Sequence, residues 1–281
     1  MPAAGGLEST QQLVKPRMEA LDRLMAETLA AETPCVAEML DYAARYSGKR
    51  LRPALIFVVA DLCGEIKDAH VKLGAVVELI HMATLVHDDV LDQATLRRNT
   101  EAVNIRWNNK DAILLGDIMF ARAIRLLVDV GSIRALERLT ETVAIICEGE
   151  IHQNQLSGQI EVDEATYTRI IGQKTASLYA ASCELGALLA GASPDLVKAF
   201  ESFGESLGIA FQIIDDCLDL SGSEEVVGKS LGTDISNGKM TLPLIHLLGT
   251  LRGDERLGLE TLIRARNAGS EEITGVRKLL T

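Results

Sequence analysis

Two aspartate triplets of identical spacing, Asp88-Asp89-Val90-Leu91-Asp92 and Asp215-Asp216-Cys217-Leu218-Asp219, each follow an apolar run. On a helix the first and last carboxylates of each triplet stand at i and i+4, on one face and about 5–6 Å apart, where like charges repel unless a cation lies between them. Hard divalent ions with oxygen ligands meet that need. Mg²⁺ keeps most of its waters and is held by one or two carboxylates plus substrate phosphates, so two such clusters imply a phosphorylated ligand. Two solvated acidic helix ends are the plainer alternative, and the spacing needs its flanks to carry chemistry.

The flanks supply cations. Gly48-Lys49-Arg50-Leu51-Arg52-Pro53 puts three positive residues ahead of an apolar helix, and Arg97-Arg98 follows the first triplet closely. Arg forks grip phosphate oxygens bidentately and Lys adds a point charge, although each cluster alone is more often a solvated basic patch. Lys174-Thr175 within a helix, Gln212 three residues before Asp215, Lys229 and Lys239 are weaker signals taken singly. His81 lies seven residues, two helical turns, before Asp88 and so shares its face, a position also open to a core histidine.

The elements that must position these groups are helical. The chain has 281 residues, 47% hydrophobic and only 4% aromatic, rich in Ala, Leu, Ile and Glu, which favours helix. Apolar residues recur at i, i+3, i+4 and i+7 over 17–46, 71–92, 110–130, 133–156, 164–191, 194–220 and 239–251, with no period-2 alternation. Gly64, Gly131, Gly158 and Gly191 are expected helix ends, with Pro194 in a first turn. The glycine-rich, mixed-charge segment 221–240 reads as a mobile active-site loop. No linker separates domains.

Charge and composition exclude several functions. With 28 basic against 40 acidic residues and a net charge of −12, neither nucleic acid nor an anionic membrane surface is a fitting main partner. The apolar stretch Leu73 to Val86 is interrupted by Glu78 and His81 and falls below the roughly 18–20 residues of a membrane span, so a buried core helix is expected and no stable membrane insertion. The N-terminus shows no readable signal peptide. Five scattered cysteines without a CxxC indicate neither a disulfide framework nor a zinc site, which suits a cytoplasmic location.

Taken together, GKRLRP at 48–53, ELIHMATLVHDDVLDQATLRR at 78–98, LLGD at 114–117, GQKTASL at 172–178, FQIIDDCLD at 211–219 and GKSLGTDISNGKMTLPLIHLL at 228–248 resemble the trans-prenyltransferase (polyprenyl diphosphate synthase) family from about Gly48 to His246. The resemblance implies an all-α fold, a single large helical bundle with both aspartate motifs facing a central cavity, normally in a homodimer. Bundle cores do host carboxylate metal sites on facing helices.

The resemblance also implies a division of labour. Asp88, Asp89 and Asp92, with Asp215, Asp216 and Asp219, would hold Mg²⁺, three ions with diphosphate bound, on an allylic diphosphate, aided by Arg97, Lys174, Lys229 and Lys239. Lys49, Arg52, His81 and Arg98 would hold isopentenyl diphosphate. Thr175 and Gln212 would direct dipoles at the allylic cation formed when diphosphate leaves, which the isopentenyl double bond then attacks. Short-chain members of the family carry bulky rings four and five residues before the first aspartate. Here Thr84 and Ala83 stand there, with Ile80 below, so the floor is expected to be open and the product medium or long.

Against that pattern, the chain ends at Thr281, short of the usual family length, as though a C-terminal helix or two were absent. A short-chain farnesyl or geranylgeranyl diphosphate synthase is the alternative product class. A related terpene cyclase would share one aspartate motif, and a silent partner subunit would have lost carboxylates. The doubled motif, the paired cation clusters and all six carboxylates favour joining two diphosphates.

Overall fold

The computed structural model describes residues 4–46, 48–98, 100–222, 232–266 and 268–279, the side chains of 4–13 and of Ser270 excepted. They are helical almost throughout, as the periodicity requires. The elements are α1 (Ala4–Leu29), α2 (Pro34–Ala43), a 3₁₀ turn (Ala44–Tyr46), α3 (Leu51–Cys63), α4 (Asp68–Leu91), strands β1 (Leu96–Arg97) and β2 (Thr100–Glu101), α5 (Val103–Arg106), α6 (Asn109–Val130), α7 (Ile133–Leu156), α8 (Glu164–Ile171), a π-helical segment (Gly172–Ala176), α9 (Ser177–Ala190), α10 (Pro194–Ser221), α11 (Thr233–Ser236), α12 (Leu242–Thr250), α13 (Gly253–Ala265) and α14 (Ser270–Leu279).

The chain divides into two compact units, Met1–Val143 with Leu178–Gly204 and Ala144–Ser177 with Glu205–Thr281. Helices α7 and α10 each begin in the first and end in the second.

In the first unit α4 is the central element, packed on α1, α3 and α6. Its residues Leu73–Ile80 are all buried, the signature of a helix apolar all round. At 24 residues it is long and apolar enough by composition to cross a membrane, a longer apolar element than Leu73 to Val86 suggested, yet 72% of that window is buried inside the protein. It starts where His70 Nδ1 accepts the Lys67 N–H at 2.9 Å. Asn108 caps α6 by accepting the Asp111 N–H at 2.9 Å, and Gly131, at φ 74°, closes it. Val59, Cys183 and Ala187 join α3 to α9, with Val197 and Phe200 of α10 against them.

The second unit is built on Val162, Leu220, Ile235, Met240, Leu244, Leu247, Leu248, Leu259, Ile263 and Val276. Most of these come from α12, α13 and α14. The Asp163 side chain caps α8 by accepting the Thr166 N–H at 2.8 Å.

Four differences from the sequence reading have local causes. The helix expected over 17–46 breaks after Leu29 and restarts at Pro34, because the residue before a proline is pushed out of the helical region. The helix expected over 164–191 contains the π segment, one extra residue in a turn that periodicity does not register. A hairpin of two-residue strands, pairing Leu96 with Glu101 and Arg97 with Thr100, is too short to show alternation. Within 221–240, residues 223–231 lie outside the described residues. Residues 232–240 are held in place, Gly158 N–H donating to Gly238 O at 2.8 Å and Lys239 N–H to Asp234 O at 2.8 Å.

Candidate active site

The first triplet ends α4, where the Asp92 N–H donates to Asp88 O at 2.8 Å. Asp88 and Asp92 are half-buried, one turn apart, whereas Asp89 between them is fully buried. Asp89 Oδ1 accepts Arg97 Nε at 2.9 Å and a second Arg97 nitrogen at 2.5 Å. Burial raises the Asp89 carboxyl above the ordinary range even against the pull of Arg97. Burial opposes the charge of Arg97 in turn, and the Asp89 carboxylate overcomes it, leaving that guanidinium above its usual pKa. Asp89 therefore anchors Arg97 through Oδ1. The hairpin presents Arg97 for this pairing.

The cations gather on the same unit. Arg52, on α3, lays its guanidinium over the Tyr179 ring, 4.3 Å from the centroid, and its buried Nε–H meets no acceptor among the described residues. Burial lowers its pKa, with Tyr179 and Glu78 pulling the other way. His81 is driven well below the ordinary histidine pKa by burial and then by Arg52, Arg98 and Arg97, so it is neutral. Arg98 sits in the hairpin at φ 50°, a strained position for a non-glycine residue that functional sites retain. Its guanidinium occupies the space a side chain at Gly48 would need, which is why the GKRLRP motif opens on glycine. Lys49 is exposed.

Glu78, at 2% exposure, is the counter-charge to this cluster. Its carboxyl is raised by burial against the attraction of Arg52, Arg50 and Arg98. In the sequence Glu78 interrupts an apolar run, yet Glu78, His81, Asp88 and Asp92 fall at i, i+3, i+10 and i+14, one face of α4.

In the second unit Asp215 is half-buried, while Asp216 and Asp219 are buried. Asp216 accepts Tyr167 Oη at 2.6 Å and Gln212 Nε2 at 2.7 Å. Gln212 Oε1 accepts the Thr175 hydroxyl at 2.8 Å. Asp219 accepts Thr233 Oγ1 at 3.2 Å and the Asp234 N–H at 3.3 Å, so it fastens α11. Lys174, in the π segment, donates to Gln153 Oε1 at 3.0 Å and pairs with the Glu150 carboxylate. Lys239 is buried, and Lys229 lies outside the described residues. Glu150, Gln153 and Tyr167 were not singled out in the sequence, since nothing in their spacing marks them.

Among the described residues no three His, Cys, Asp or Glu side chains are grouped to hold a metal by themselves. Half-buried carboxylates one turn apart, Asp88 and Asp92, fit an ion completed by phosphate oxygens and water.

Of the chain-length residues, Ala83 has no accessible surface and Ile80 3%, while Thr84 is half-buried with its hydroxyl donating to His81 O at 2.8 Å. Only Thr84 borders open space. The expected open floor at Ala83 is closed by packing.

The helical fold with this paired-carboxylate, cation-lined chemistry is that of the isoprenoid synthases. A polyprenyl synthase from Caulobacter crescentus CB15, solved with calcium and isoprenyl diphosphate, superposes with a TM-score of 0.94 at 36% identity, covering 97% of this chain and 83% of that one. The profile described as polyprenyl synthetase matches residues 33–280, and the chain belongs to that family; it is a prenyltransferase. It is 35% identical over 285 residues to the octaprenyl diphosphate synthase of Escherichia coli K12, covering 96% of this chain and 88% of that protein. It is 38% identical over 252 residues to heptaprenyl diphosphate synthase component 2 of Geobacillus stearothermophilus, covering 89% and 77%. Geranylgeranyl diphosphate synthases are also among the similar proteins.

Proposed function

We propose that this prenyltransferase is a medium- or long-chain all-trans polyprenyl diphosphate synthase, adding isopentenyl diphosphate head to tail to an allylic diphosphate. The observation that carries the reading is Arg52, whose buried Nε–H meets no acceptor among the described residues, beside a neutral His81. A buried cation with an unmatched N–H fits an anion, and a diphosphate supplies both charge and acceptors.

Lys49, Arg52, His81 and Arg98 bind isopentenyl diphosphate in this reading, with Glu78 holding the arginines in place. Arg97, Lys174, Lys229 and Lys239 serve the allylic diphosphate. Asp88, Asp92 and Asp215 are the proposed Mg²⁺ ligands, for three ions once diphosphate is bound, while Asp89, Asp216 and Asp219 fix the groups around them. Mg²⁺ held there would supply charge stabilisation to a departing diphosphate. Thr175 and Gln212 turn oxygen dipoles to the allylic cation, the isopentenyl double bond attacks its C1, and released pyrophosphate takes the proton.

The octaprenyl and heptaprenyl activities named for relatives favour a long product, as does the absence of a ring at Thr84; the geranylgeranyl synthases make a short product the second reading. A homodimer is supported by Leu114, Ile124 and Val128, which lie on one face of α6 and are 54%, 51% and 56% exposed, an apolar row that a second copy would cover. A cytoplasmic location accords with free cysteines at all five positions. Incubation with farnesyl diphosphate, labelled isopentenyl diphosphate and Mg²⁺, followed by product sizing, tests the function: polyprenyl products of six to ten units support it. No elongation, or a single cyclised product, overturns it.

A further inference from the structure

Tyr167, Asp216, Gln212 and Thr175 form a chain of three hydrogen bonds within the second unit, at 2.6, 2.7 and 2.8 Å. The direction of each bond follows from the groups. A carboxylate only accepts, so Gln212 must turn its amide nitrogen to Asp216, which leaves its carbonyl oxygen toward Thr175. A carbonyl oxygen also only accepts, so Thr175 must place its proton there. The Thr175 oxygen then offers lone pairs, not a hydrogen, to anything else it meets.

The chain is built to keep that polarity. Tyr167 is 3% exposed, Asp216 5% and Thr175 8%, with Gln212 half-buried between them, so the Tyr167–Asp216 bond is shielded from water. Burial, and next the Asp216 charge, raise the Tyr167 phenol far above its usual pKa and keep it a donor. The backbone is fixed as well, because α7 approaches the π segment so closely at Gly149 that a side-chain carbon there would lie 2.8 Å from Gln173 Cβ and 3.0 Å from the Lys174 nitrogen.

We propose that Tyr167 and Asp216 are positioning residues for the condensation, which through Gln212 set Thr175 so that its oxygen, rather than its proton, faces the allylic cation. This rests on the prenyl-transfer reading above. A proton turned toward a developing cation would raise the barrier, whereas preoriented lone pairs lower it without reorganisation. On this account Asp216 acts through the protein and not through a metal ion.

The test is a double-mutant cycle on the full chain. Tyr167→Phe deletes one hydroxyl and is expected to lower kcat about tenfold, the loss of one hydrogen bond to a charged group, with KM for both diphosphates unchanged. Calorimetric binding of inorganic pyrophosphate in the presence of Mg²⁺ should be unaffected in Tyr167→Phe and Asp216→Asn and weakened in Asp215→Asn. Thr175→Val should lower kcat at least as far as Tyr167→Phe, Thr175→Ser should recover most of it, and Tyr167→Phe added to Thr175→Val should cost nothing further, because both act through one chain. If Tyr167→Phe does not fold, the Thr175 pair and the Asp216→Asn calorimetry still decide. Unchanged kcat in Tyr167→Phe, additive losses in the double variant, or pyrophosphate binding weakened equally by Asp215→Asn and Asp216→Asn would each overturn the proposal. A wild type that elongates while Tyr167→Phe matches it sinks the positioning role alone; a wild type that does not elongate removes the function and this role together.

Discussion

At the level of single residues, the two aspartate triplets are less uniform than their spacing suggests. Asp88 and Asp89 are adjacent and chemically identical, yet one is half-buried and the other has no exposed surface and an arginine on it. Their replacements should therefore fail in opposite ways. Asp88→Ala is expected to keep its melting temperature and lose turnover by on the order of 10³-fold, the range for removing a transition-state charge stabiliser. Asp89→Ala leaves Arg97 buried without its counter-charge, and breaking such a pair from one side costs about 3–5 kcal/mol, so its thermal unfolding should shift markedly downward. Melting curves with steady-state rates for the two variants separate these outcomes, and a stable, inactive Asp89→Ala would return Asp89 to the metal. Arg52→Ala should raise the KM for isopentenyl diphosphate about 10- to 100-fold, the loss of a charge-assisted contact, while leaving the allylic KM in place. Equal increases in both would undo the separation of the two diphosphate sites.

Among the elements, α4 carries the burden of both stability and specificity, because one face bears Glu78, His81, Asp88 and Asp92 while Leu73–Ile80, Met82, Ala83 and Val86 are buried in the core. Ala83 and Thr84 are neighbours in sequence but differ in surroundings, the first without accessible surface and the second half-buried. Thr84→Phe should then shorten the product toward three or four isoprene units with the first condensation intact. Ala83→Phe forces a ring into a close-packed core, a change that costs about 1–3 kcal/mol, and should show first as a lowered melting temperature. Product sizing beside calorimetry distinguishes them. Helices were legible in the sequence where one face repeated at helical period, as in α6 and α7, whose observed bounds, Asn109–Val130 and Ile133–Leu156, lie within a residue of the expected ones. The charged α13 and α14 were not, since their buried Leu259, Ile263 and Val276 are sparse among acidic and basic residues. Candidate site residues were legible as types, carboxylates and cations at set spacings. What sequence could not supply was burial: nothing in a DDxxD pattern says that a tyrosine from another helix, Tyr167, will occupy the middle carboxylate, or that Gly48 is small because Arg98 lies over it.

For the whole molecule, a net charge of −12 means that anionic substrates are accepted only where cations are concentrated, and that concentration has a consequence for stability. His81 stays neutral in the fold because burial and three arginines oppose its proton. His70 is also held below the ordinary range by burial; its Nδ1 accepts the Lys67 N–H at 2.9 Å, so its Nε2–H donates to Gly186 O at 3.2 Å. In the unfolded chain both rings take up a proton near pH 6.5, so below that value the unfolded state binds more protons than the folded one, and stability falls as pH falls. Each ring contributes a slope of at most about 1.4 kcal/mol per pH unit, absent above the ordinary histidine pKa and present from there down to its lowered folded value. The raised carboxyls of Glu78 and Asp89 act in the opposite sense, keeping protons in the fold after the unfolded chain has released them, so their contribution declines as pH rises out of the ordinary carboxylate range. Comparing denaturant unfolding of the wild type and His81→Gln between pH 7.5 and pH 5 isolates the His81 share, because the other groups are common to both proteins. The wild type should lose stability more steeply with acidification by about one proton's worth. Parallel curves would mean that His81 is charged in the fold, and that the site offers isopentenyl diphosphate a fourth cation in place of a neutral ring.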